Sequence, residues 1–118
     1  MRILHFSYTD DPKGAGVYFY IKELIKIQKT NNIDCYWITV INNNLVSNKK
    51  ELLKKISDIN PNIIHIHGNW TVCTRIILDL KKITNNIIVS PHGMLNQRSI
   101  KKSYIKKKIY FFLFEKRQ

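Results

Sequence analysis

Strands and helices alternate along this chain, and the alternation predicts an α/β fold: a Rossmann-like open parallel sheet with helices on both faces. Three observations carry that expectation. Four short β-rich segments recur, at residues 2–7, 33–41, 62–67 and 87–90. Between them lie stretches whose apolar residues return at helical spacing. No strand is joined to the next by a two-residue hairpin turn, so the connections are crossovers of the right-handed kind that parallel strands require.

Each element has its own local reason. Residues 2–7 (RILHFS) form a first strand, followed by a polar loop holding Asp10, Asp11, Pro12, Gly14 and Gly16. From about residue 15 to 30, Val17, Ile21, Leu24 and Ile25 make the stripe of an amphipathic helix that Asn31 and Asn32 close. Residues 33–41 (IDCYWITVI) are β-branched and aromatic, a buried second strand. Asn48 suits an N-cap with Glu51 as its partner three residues on, and Leu52, Ile56 and Ile59 share one face of the helix that follows. Pro61 ends that helix, and residues 62–67 (NIIHIH) form the third strand, broken by Gly68. Asn69 is positioned to cap a single helix reaching Thr84, with Val72, Ile76, Leu80 and Ile83 as its stripe. Residues 87–90 (IIVS) are the fourth strand, stopped by Pro91, and a last helix is expected over 99–116.

The 118 residues fit one domain, and 44% apolar content is enough for a core. The longest apolar run, residues 109–114, is far shorter than the roughly 20 residues of a membrane span. The first residues carry no secretory signal pattern. Cys35 and Cys73 have no short-range pairing and no CxxC spacing, so both are expected as reduced core residues of a cytoplasmic protein. The net charge of +12 is concentrated: residues 98–118 hold eight bases against one acid. That basic block precedes the contiguous aromatic run Ile109-Tyr110-Phe111-Phe112-Leu113-Phe114. A solvated charged helix is one reading. Attraction to anionic lipid head groups, peripheral at the inner face of the plasma membrane, is the other. Nucleic acid is not expected, because bases and aromatics are not interleaved as a stacking platform needs.

In an open parallel sheet a ligand lies beyond the carboxyl ends of the strands. Three of those ends carry glycine beside a polar or aromatic group: Gly14 and Gly16, Gly68-Asn69-Trp70, and Pro91-His92-Gly93-Met94. The two glycines open a helix, whose free N–H groups favour an anion, although a turn needed only for geometry explains them as well. Phe19 stands where a dinucleotide fingerprint needs a small residue, and no Gly-Lys-Ser/Thr follows. His65 and His67 share one strand face; with no acid or cysteine nearby to complete a metal set, His65 is expected as a hydrogen-bonded core residue and His67 as the functional one. His92, on a sharp turn at the ligand edge, is the foremost single candidate.

These motifs together resemble a known family. The opening Met1-Arg2-Ile3-Leu4-His5-Phe6-Ser7, the Lys13-Gly14-Ala15-Gly16 loop, Ile63-Ile64-His65-Ile66-His67-Gly68-Asn69-Trp70 and Ser90-Pro91-His92-Gly93-Met94-Leu95, with a basic helix ending Phe114-Glu115-Lys116-Arg117, look like the N-terminal half of family 4 glycosyltransferases of the GT-B fold. The resemblance implies a retaining, metal-independent transferase without a cofactor. It would move a sugar from a nucleotide sugar to a glycan or lipid-linked acceptor in cell-surface polysaccharide synthesis. By the match, Gly14, Gly16 and Gly93 bind the donor, His92 is catalytic, and His67, Trp70, Asn96 and Arg98 line the acceptor side. The family's pair of glutamates separated by seven residues has no counterpart among Glu23, Glu51 and Glu115. The expectation is therefore a truncated N-terminal domain lacking its donor-binding partner and inactive alone. From a different class, a non-catalytic α/β module binding anionic membrane or a partner domain through its basic helix is the alternative.

Overall fold

The computed structural model describes residues 1–8, 11–12, 16–40, 45–68 and 71–92. Four strands, β1 (Arg2–Ser7), β2 (Asp34–Thr39), β3 (Ile63–His67) and β4 (Ile87–Ser90), form one sheet in the order β2-β1-β3-β4. Every pairing is parallel. The expected α/β fold with an all-parallel sheet is therefore observed. The chain starts in the middle, moves outward to β2, then returns across β1 to β3 and β4. Its direction reverses between β1 and β3, the switch point at which open sheets of this kind leave a crevice.

The helices are α1 (Gly16–Thr30), α2 (Leu45–Ile59), α3 (Val72–Arg75) and α4 (Ile77–Leu80). A constant crossover hand places α1 on one face and the other three on the opposite face, and packing agrees. Leu4, Phe6, Ile38, Ile64 and Ile66 from the strands meet Leu52 and Ile56 of α2 and Cys73, Ile76, Ile77 and Leu80 in one apolar core. Alternate residues point the other way. That second face reads Ile3, His5, Ser7, Cys35, Trp37, Thr39, His65, His67, Ile88 and Ser90, and α1 packs against it.

Capping explains where the helices stop. Asn32 has φ 60°, with Ile33 N–H bonding to Gln28 C=O and Asn32 N–H to Lys29 C=O, both at 3.0 Å. That is a Schellman closure with asparagine in the left-handed position. Asn60 (φ 52°) ends α2 just before Pro61. Asn48 breaks the helical backbone of α2 (φ −149°, ψ 51°), and its side-chain amide donates to Glu51 Oε2. The expected pair is thus in contact side chain to side chain, at a kink inside the helix and not at its start, because a helical turn precedes Asn48.

One expected element is different. The single helix over 69–84 is two short ones, separated at Ile76 (φ −98°, ψ 11°). Thr71, not Asn69, occupies the N-cap of α3, and its side chain makes no capping bond. Thr74 Oγ1 instead donates to Thr71 C=O at 3.0 Å, the local competition that makes β-branched runs weak helix formers. The buried residues Cys73, Ile76, Ile77 and Leu80 nonetheless keep helical spacing. The expected last helix, 99–116, lies outside the described residues.

At the amino edge Arg2 gathers three elements: its backbone N–H bonds to Asn62 Oδ1 (2.7 Å), its guanidinium pairs with Asp34 (3.0 Å) and it donates to Ile59 C=O (2.5 Å). Among the described residues no helix is long and apolar enough to cross a membrane.

The two faces differ in what they cost to disturb. Ile64→Ala, at the centre of the apolar face, is expected to lower unfolding free energy by about 2–5 kcal/mol. Ile88→Ala, on a residue that is 50% exposed on the other face, should change it by about 0.5 kcal/mol or less. Urea unfolding of both variants checks the contrast.

Candidate functional site

All four histidines of the chain meet on the α1 side of the sheet. His5 of β1 is in register with His65 of β3, and His67 lies two residues on along the same face. The His65 and His67 ring centroids are 4.1 Å apart. Beyond the carboxyl edge, His92 follows β4 on the turn after Pro91, with φ 48°. A non-glycine residue in that left-handed region is held there by its surroundings, and the partners here are visible: His67 on one side and Tyr20 of α1 on the other.

The rings form a hydrogen-bonded line. Gln28 Oε1 lies 2.7 Å from His5 Nε2, His5 Nδ1 lies 3.0 Å from His67 Nε2, and His67 Nδ1 lies 3.0 Å from His92 Nε2. The amide oxygen sets the direction of the whole line. Cys35 Sγ also donates to Gln28 Oε1, at 3.1 Å, so two donors converge on one carbonyl acceptor. His5 must then carry its proton on Nε2 and accept at Nδ1. His67 accordingly donates from Nε2 and accepts at Nδ1, and His92 donates from Nε2. His92 Nδ1 is left holding a lone pair at the outer end. His65 stands beside the line, with Nε2 2.7 Å from Ser90 Oγ.

Burial keeps these rings neutral. His5 is fully buried and His67 is 2% exposed. Desolvation pushes the His67 pKa down to about 2, reinforced by the neighbouring His65, His5 and His92 rings. It brings His65 down to about 4, with His5 and His92 adding to the effect. His5 is lowered by burial, partly offset by its Gln28 bond, and His92 is lowered by burial as well. Near neutral pH the outer ring is therefore a base.

Aromatic side chains flank the rim. Tyr20 sets its ring edge-on to His92 (centroids 4.8 Å) and reaches His67 (6.0 Å). Tyr18 packs on Trp37 (5.7 Å), whose indole N–H donates to Ser7 Oγ at 2.8 Å. Gly16 opens α1 exposed, with nothing within 4 Å of where a side chain would begin. Gly68, ending β3 at φ 93°, donates its N–H to Ser90 C=O at 2.7 Å. Separately, an open groove of about 770 Å³ along α1, lined by Lys22, Glu23, Ile25, Lys26, Lys29 and Thr30, shares no residue with the histidine cluster.

Of the residues singled out from sequence, His92, His67 and Gly16 are described. The first two are brought into contact, and the helix that Gly16 opens supplies Tyr20 to them. His65 is the hydrogen-bonded residue it was expected to be. His67, expected among the acceptor contacts, is buried, with its ring nitrogens 3.0 Å from His5 Nδ1 and from His92 Nε2. Gly14, Gly93, Trp70, Asn96 and Arg98, and the basic segment 98–118, lie outside the described residues. His5, Gln28, Tyr20 and Ser90 were missed. His5 had a signal, since a histidine at the third position of the first strand falls opposite His65 once the two strands pair. The incomplete metal pair of the sequence gains its third imidazole in this way: one ring nitrogen each from His5, His65 and His67 lies within 4.8 Å of the others. Both cysteines are free and buried, and burial raises both thiol pKa values, Cys73 to about 12.

The depressed histidine pKa values fix a sign. Between their folded values and the ordinary 6.5, the unfolded chain binds more protons than the folded one, so stability rises with pH there. Stability should be complete above about pH 6.5 and fall as the pH drops toward 4. Asp79 is held below its usual range by Lys49. Urea midpoints at several pH values in EDTA check this; a flat profile between pH 4 and 6.5 would contradict the buried neutral rings. Comparison with protein-family models, curated proteins and solved structures finds no match to this chain.

Proposed function

We propose that this chain is the acceptor-side half of a GT-B glycosyltransferase, one that transfers a sugar from a nucleotide sugar to a glycan or lipid-linked acceptor with retention of configuration. The observation that carries the reading is the junction of His92 with His67 and Tyr20 at the carboxyl edge, beside the β1/β3 switch point. The sequence resemblance requires the glycine-opened helix and the proline-flanked imidazole to share one rim. Tyr20, one turn into α1, touching His92 is consistent with that requirement.

In this reading His92 Nδ1 accepts a hydrogen bond from a sugar hydroxyl close to the reacting carbon. His67 orients the ring from behind, and Tyr20 limits its rotation. Gly16 leaves the start of α1 open to the donor's phosphates, which its free N–H groups and dipole favour. Gly14 and Gly93 complete the donor side, and Trp70, Asn96 and Arg98 the acceptor side. The paired glutamates of the family belong to a second, donor-binding domain. Without it the leaving diphosphate meets no preorganised charge, so these 118 residues alone are expected to turn over no nucleotide sugar above background.

The test is binding. Nucleotide sugars and short glycans titrated into the ¹⁵N-labelled chain should shift the Tyr20 and His92 resonances, weakly and saturably. His92→Gln should reduce that affinity several-fold without altering the fold. Shifts confined to residues away from the carboxyl edge, or measurable turnover by the chain alone, would defeat the half-enzyme reading. Liposome co-sedimentation that depends on residues 98–118, with no sugar response, would favour the membrane-binding module in its place.

A further inference from the structure

We infer that His5, His65 and His67 form a three-nitrogen site for a borderline divalent transition metal such as Zn²⁺, and that its occupancy changes which proton His92 presents at the rim. The site shares His67 with the sugar-transfer reading and acts on its His92, but does not require that reading.

The geometry is close to what such an ion needs. One ring nitrogen from each of the three lies within 4.8 Å of the others, and His5 Nδ1 and His67 Nε2 are 3.0 Å apart. Tetrahedral ligands at about 2.0–2.1 Å from zinc stand about 3.3 Å from each other. The close pair must open slightly, and the His65 ring must move toward it. Imidazole donors select this class of metal over magnesium or calcium, which prefer oxygen. Three imidazoles leave a fourth position for water or an added ligand.

The surrounding bonds are those that metal-bound histidines ordinarily make through their other nitrogen. His5 Nε2 is held by Gln28, His65 Nε2 by Ser90, and His67 Nδ1 faces His92. These leave His5 Nδ1, His65 Nδ1 and His67 Nε2 as the ligating atoms. Neutral rings also offer lone pairs without first losing an extra proton. An entry path exists on the β4 side, where His65 is only half-buried and its register neighbour Ile88 is exposed.

Occupancy has a consequence that can be followed atom by atom. Without metal, His67 carries its proton on Nε2, pointing to His5. To ligate through Nε2 it must give up that proton and carry one on Nδ1. Nδ1–H then donates to His92 Nε2, so His92 must move its own proton from Nε2 to Nδ1. Each ring keeps one proton and none is released overall. The outer atom of the line changes from an acceptor to a donor.

Calorimetric titration of Zn²⁺ into the EDTA-treated 118-residue chain is expected to show one ion bound per chain, with Mg²⁺ producing no heat of binding. Co²⁺ should give the visible ligand-field bands of a four- or five-coordinate nitrogen site. His65→Gln removes a half-buried ligand while leaving the buried His5–His67 bond in place, and should weaken Zn²⁺ affinity at least tenfold. A wild-type measurement stands beside it: long-range ¹H–¹⁵N spectra of the imidazoles should show His67 and His92 changing from Nε2–H to Nδ1–H on saturation. No binding, binding undiminished in His65→Gln, or imidazole spectra unchanged by Zn²⁺ would each overturn the site. No sugar or nucleotide is present in these experiments, so their failure leaves the transferase reading to its own test.

Discussion

Four imidazoles placed on or beside the two middle strands of a sheet form the constraint around which the rest of the molecule is arranged. A buried polar ring without a partner costs several times what a satisfied one does, so each must be given a neighbour. The structure does this in series, from Gln28 through His5 and His67 to His92, with Ser90 serving His65. Because one amide oxygen begins the line, the proton position on every ring in it follows.

Helix α1 makes that series possible by holding both of its ends. Gln28 anchors the interior end, and Tyr20 stands against His92 at the rim. Eight residues of helix separate them, a rise of roughly 12 Å, about what three successive rings span. Ile21, wholly buried between these two residues in sequence, fixes the helix to the sheet. The opposite face is ordinary by comparison: aliphatic side chains against α2, α3 and α4, with Lys49 and Asp79 tying α2 to α4 at 2.6 Å. Stability and chemistry are thus divided between the two sides of one sheet. Residues on the polar side are free to answer to function because the apolar side does most of the burial.

Much of this organisation is legible in particular residues. The β-branched runs announce the strands, and the asparagine pair at 31–32 announces the Schellman end of α1, because each depends on conformations available to a few consecutive residues. The prominence of His92 follows from its neighbours Pro91 and Gly93. The break at Ile76 was not legible, since spacing at 73, 76, 77 and 80 suits one helix as well as two. Tertiary burial of that stripe, together with Thr74 bonding back to Thr71, decides between them. His67 reads as a functional strand-tip residue in sequence and is enclosed in the fold, because Tyr20 and His92 cover it from elements that sequence alone does not bring to its side.

Local order, then, belongs to the chain's own composition: four strands, helical segments between them, the asparagine that closes α1, and a two-residue period that puts His65 and His67 on one face. Which strand lies beside which belongs to the assembled sheet. His5 and His67 are 62 positions apart and meet only because β1 and β3 pair in parallel at one register. A shift of a single residue between β1 and β3 would have left His5 on one face of the sheet and the His65–His67 pair on the other. Periodicity is a property of neighbours along the backbone, whereas a line of hydrogen bonds across three elements exists only once burial has chosen the pairing.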